Sequence, residues 1–134
     1  MPEPMPDYTY LWVDVYHAGV HVFHDRDACA RWLSDAGERA AADRLRYVAG
    51  LCHTFEDARG IDYHALFIPK GATPGTVAHE CAHLAFDICN GVGIAVREHE
   101  VNEPYCYLLD LLVDRVTPLV KPRARRAPTS SQPS

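Results

Sequence analysis

His79-Glu80-Cys81-Ala82-His83 brings together the residue types that hold and use a divalent metal. On a helix, residues four apart stand one turn apart on the same face, so the imidazoles of His79 and His83 can aim at one point. Neutral imidazole is a good zinc ligand. Glu80 is rotated by about 100° from His79, where it can reach a water on the metal without ligating the ion. This is the H-E-x-x-H arrangement of metal-assisted hydrolysis. Catalytic zinc takes three protein ligands and keeps one position open. Downstream, the acids and imidazole that could supply the third are Glu98, His99, Glu100 and Glu103. Glu103 opens a predicted helix, which would hold its side chain rigidly. Two imidazoles and a carboxylate suit Zn2+.

His79-Glu80-x-x-His83 followed by Asn102-Glu103 resembles the gluzincin zinc metallopeptidases, of which thermolysin is the familiar type. The resemblance covers residues 76–110 and includes the glycine turn at Gly91. It implies a minimal, single-domain zincin, of the kind encoded by small open reading frames of bacteria and phages. It also implies metal ligands His79, His83 and Glu103, and a metalloendopeptidase whose substrate is a peptide or protein. In such a mechanism Glu80 takes a proton from the zinc-activated water and delivers it to the leaving amine. The strand before the motif helix, residues 62–68, would offer an edge to the peptide. Glu103-Pro-Tyr-Cys-Tyr-Leu-Leu is also similar to the ImmA/IrrE-type peptidases.

Four residues after Glu103, the thermolysin type carries an aspartate that orients a zinc histidine. Tyr107 stands there instead, and Asp87 or Asp110 could take over that hydrogen bond. Tyr107, or Tyr105, is the catalytic candidate for stabilising the oxyanion. Two other readings keep the same ligands: a zinc-containing binding protein that cleaves nothing, and a structural site closed by Cys106 or His99.

The remaining reactive residues read as ordinary. His17, His21 and His24 would be split between the two faces of a hairpin, which disfavours a second metal site. His53 and His64 sit on two predicted strands, facing each other or the cleft. Cys81 and Cys89 read as core thiols, and Cys106 as packing near the second ligand helix. Neither a glycine-rich phosphate loop nor a G-x-S-x-G elbow is present.

An α+β fold has to position these groups, with a small antiparallel sheet packed on the motif helix and a second, ligand-bearing helix closing the site. Residues 8–16 are aromatic and β-branched, a strand signal, and Val20–Phe23 returns as the second arm of a hairpin. A short helix follows an Asp25 or Asp27 cap and stops at Gly37. Residues 38–48 are Ala-rich with a short apolar stripe. Leu51–Phe55 and Ile61–Ile68 read as strands. The motif helix is capped by Thr73 or Thr76, with Pro74 in its first turn, and Asn90-Gly91 ends it. A last helix spans about Pro104 to Val116.

The 134 residues carry a net charge of −5, with 48% hydrophobic residues, which suits one folded domain, expected over residues 8–120. Lys121, Arg123, Arg125 and Arg126 make the last 14 residues +4, leaving −5 − 4 = −9 on residues 1–120. An acidic body argues against nucleic acid as a partner. Residues 1–7 and the basic tail 121–134 are expected to be disordered. The chain shows no signal-peptide pattern and no apolar run of about 18 residues, so the expected setting is the cytoplasm, away from membranes. Five cysteines without a C-x-x-C pair fit reduced thiols there.

Overall fold

Alternation along Tyr8–Val13 (β1) sends Leu11 and Val13 into the core and leaves Tyr10 and Trp12 on the other face. The strand predicted over 8–16 stops earlier: Asp14–Tyr16 forms a 3-10 turn, and His17, at φ 49°, reverses the chain into Ala18–Phe23 (β2). The expected hairpin is present, pairing Tyr8 with Phe23 and Val13 with Ala18. The protein is described by a computed structural model, which covers residues 7–122. The expected disorder at the two ends therefore falls outside the described residues, apart from Asp7, Lys121 and Pro122.

Asp25 caps Arg26–Asp35 (α1), its carboxylate accepting from the Ala28 amide at 3.1 Å. Gly37, at φ 85°, ends the turn, and Arg39–Arg44 (α2) follows within the stretch whose pattern was ambiguous. Leu51–Glu56 (β3) and Asp62–Phe67 (β4) form an antiparallel hairpin.

The sheet order is β1-β2-β4-β3, and β4 runs parallel to β2, so the sheet is mixed rather than antiparallel. The cause is the excursion through α1 and α2, which is long enough to bring the chain back for a parallel neighbour. The fold is α+β, with helices on both faces of the sheet. α1 and α2, with Leu45 just after α2, bury Ala28, Cys29, Leu33, Ala41 and Leu45 against Phe23, Ala65 and Phe67. On the opposite face, Pro74–Gly91 (α3) and Glu103–Val116 (α4) bury Val77, Leu84, Ile88, Leu108 and Leu112 against Val20, Val22 and Leu66.

α3 ends at Gly91, within the Asn90-Gly91 pair expected to stop it. Gly93, at φ 81°, takes the left-handed position, while Ile94 donates to the Cys89 carbonyl and Gly93 to that of Asn90. Ile94, half-buried, packs on the core just past this turn. No helix among the described residues is long and apolar enough to cross a membrane.

Candidate metal and active site

Thr73 begins α3: its hydroxyl accepts from the Thr76 amide at 3.2 Å, and Pro74 fills the first turn, where its missing N–H costs nothing. The helix lays Val77, Cys81, Leu84, Ala85 and Ile88 on the sheet, which fixes its rotation. That rotation leaves His79 and His83 exposed on one edge, with ring centroids 4.9 Å apart and the rings meeting edge-on. One ligating atom from each of His79, Glu80 and His83 lies within 4.8 Å of the others, a group that could hold a metal ion.

Glu80 is the unusual member. It is 6% exposed, and its Oε2 is buried without a hydrogen-bond partner. Its Oε1 lies 3.8 Å from His79 Nε2. A buried carboxylate oxygen left unpaired is costly. Burial raises the Glu80 pKa above the ordinary carboxylate value, while His79, His83 and Arg44 pull it back down. Gly50 makes the position possible: a Cβ there would stand 2.9 Å from Glu80 Cγ and 3.1 Å from the Phe67 carbonyl oxygen.

The three residues open into a cavity of about 810 Å³ between α3, the end of α2 and the start of β3. Arg44, Gly50, Leu51, Cys52, Thr76 and Asp87 also line it. Asp87, one turn beyond His83, accepts from Thr54 Oγ1 at 3.2 Å and from the Cys52 thiol at 3.7 Å. The Thr54 hydroxyl also meets His64 Nδ1 at 2.8 Å. These bonds tie the motif helix to β3 and β4. Burial, reinforced by Asp87, pushes the Cys52 thiol well above its ordinary pKa.

Of the residues singled out from sequence, the structure groups His79, Glu80 and His83, with Asp87 on the same cavity wall. It does not bring Glu103 into that group. Glu103 is exposed at the first residue of α4, off the cavity wall, and Glu80 occupies the third corner. Asn102 takes a left-handed conformation (φ 54°), accepting from the Arg97 amide and donating to the Arg97 and Glu100 carbonyls. The Asn-Glu pair thus closes the loop before α4. Tyr107 is 70% exposed and off the wall, whereas Tyr105 packs on α3 with its hydroxyl 3.5 Å from the Ala82 carbonyl. Glu98, His99, Glu100, Cys106 and Asp110 are exposed outside the cavity lining.

Cys81 and Cys89 are core, as expected, and burial drives the Cys81 thiol up to about 12. His17, His21 and His24 form no metal cluster: His17 meets Trp12 edge-on, His21 lies among Tyr8, Tyr10 and Trp32, and His24 Nδ1 donates to the Ile68 carbonyl. His53 and His64 point to opposite faces, His53 to Glu38 at 2.7 Å and His64 beneath α3. Arg44 and Gly50 were not foreseen as site residues. Only a glycine just before a strand hinted at a close approach.

No family model, no curated protein and no solved structure matches this chain.

Proposed function

We propose that the chain is a zinc-dependent metalloendopeptidase in which His79 and His83 bind the ion and Glu80 is the general base. One observation carries this reading: the buried, unpaired Oε2 of Glu80 beside two open imidazoles on a cavity wall. The two imidazoles suit a zinc ion, and the exposed rings leave room for one. When bound, zinc would polarise a carbonyl and lower the pKa of water toward neutrality. Glu80 would accept the proton of the attacking water and pass it to the leaving amine, and its raised pKa favours that return. Glu103 stands outside the cluster, so it is the ligand that this reading has to recruit on metal binding.

The peptide edge expected at residues 62–68 moves one strand outward. β4 is paired on both sides, by β2 and β3, and has no edge to offer. β3 is the edge strand, and its Leu51 and Cys52 line the cavity. A substrate strand added to β3 would pass His79, Glu80 and His83.

The exposure of Tyr107 away from the cavity favours a second reading, a zinc-containing binding protein without catalysis. Digestion of an unfolded protein by the zinc-loaded chain, beside Glu80→Gln, separates the two. The peptidase reading expects cleavage that Glu80→Gln reduces by about 10²–10⁴-fold while bound zinc stays the same. Absence of cleavage by the unaltered, zinc-loaded chain contradicts it and leaves the binding protein.

A further inference from the structure

Arg44 closes α2 at the mouth of the cavity and is the one cationic side chain among its lining residues. It is exposed, and its guanidinium makes no hydrogen bond or ion pair among the described residues, so its donors are free for a ligand. A guanidinium fork matches a carboxylate in a bidentate geometry. A dication on the imidazoles would place a second positive group on the wall that Arg44 already lines. An anionic group between the two would meet favourable charge on both sides.

We infer that Arg44 receives a carboxylate of the substrate, so that the cavity takes peptides bearing an acidic side chain or a free C-terminus near the bond facing His79 and His83. The inference rests on the metallopeptidase reading, and it adds a specificity residue that the H-E-x-x-H motif does not contain.

The test uses two hydroxamates, whose common end chelates the metal: succinate monohydroxamate, with a free carboxylate at its other end, and its primary amide. Each is titrated calorimetrically into the zinc-loaded protein. The acid should bind about fivefold to tenfold more tightly than the amide. Arg44→Ala should abolish that preference and leave the amide's affinity unchanged, and Arg44→Lys should keep part of it. Because Arg44 is exposed, neither substitution disturbs the core.

Equal affinity of acid and amide for the unaltered protein overturns the inference and leaves the metal reading standing. Failure of both to bind overturns the metal reading and this inference with it. Competition against the amide hydroxamate then identifies the carboxylate. One pentapeptide carries Glu with an amidated end, a second Gln with a free end, and a third Gln with an amidated end. Stronger displacement by the first or second, lost in Arg44→Ala, names the source, whereas equal displacement by all three overturns the inference.

Discussion

At the scale of single residues, the site depends on how Glu80 is held. A carboxylate in this position needs a glycine opposite it, because a side chain at residue 50 would meet both the Glu80 stem and a backbone carbonyl that has no freedom to move. Gly50→Ala should therefore displace Glu80 and destabilise the fold by about 1–3 kcal/mol, the usual range for overpacking. Urea unfolding gives the stability change, and on the proposed peptidase reading cleavage by the folded fraction should fall with it. An alanine variant with unchanged stability and activity would show that Gly50 does not set the position of Glu80.

The residue scale is also where sequence reading reached furthest and then stopped. The i, i+4 spacing of His79 and His83 is a property of one helix, so it could be read directly. The positions of Arg44, Gly50 and Glu103 depend on how α2, β3 and α4 sit beside that helix, and no spacing along the chain encodes this. Asn102-Glu103 illustrates the limit: the pair has the expected order and distance, yet the asparagine closes a loop and the glutamate faces solvent.

At the scale of elements, α3 supplies every residue of the cluster, so its first turn matters to the site. Thr73 satisfies an amide that would otherwise lack a partner in the helix. Thr73→Ala should cost about 1 kcal/mol and lower Tm by a few degrees. Calorimetric melting checks this, and an unchanged Tm would mean that Pro74 alone sets the start of the helix. Most elements were legible because their signals are local: a capping aspartate before α1, a threonine-proline start for α3, and alternating apolar residues in β2. The end of α3 at Asn90-Gly91 was legible too, although the left-handed glycine is Gly93 and not Gly91. The parallel pairing of β2 with β4 was hidden, because it follows from the path of the chain between them.

For the whole molecule, pH tests the buried imidazole of His64 and the half-buried ones of His21 and His24. Burial lowers the pKa of His64, although Asp62 and Asp87 oppose the shift, and burial also lowers those of His21 and His24. In each case the unfolded chain takes up a proton before the folded one does. Stability is then complete above the ordinary histidine value of 6.5 and is lost as pH falls through and below it. Urea unfolding at pH 7.5 and at 5.5 should show a lower midpoint at 5.5, in a window above the titration of ordinary carboxylates. His64→Gln, which keeps a polar partner for Thr54, should reduce the difference. Because the raised pKa of Glu80 acts in the opposite direction, the variant decides: a pH difference that His64→Gln leaves unchanged would contradict the burial of His64.

The metal is the remaining property of the whole molecule, and it decides the function. Zinc titration of the purified, metal-free chain, by calorimetry, beside His79→Ala and His83→Ala, addresses it most directly. Expected is one equivalent of zinc bound by the unaltered chain, with affinity reduced at least about 100-fold in each variant as a ligand is lost. A chain that takes up no zinc, or whose two alanine variants bind it as tightly as the original, would contradict the metal site on α3.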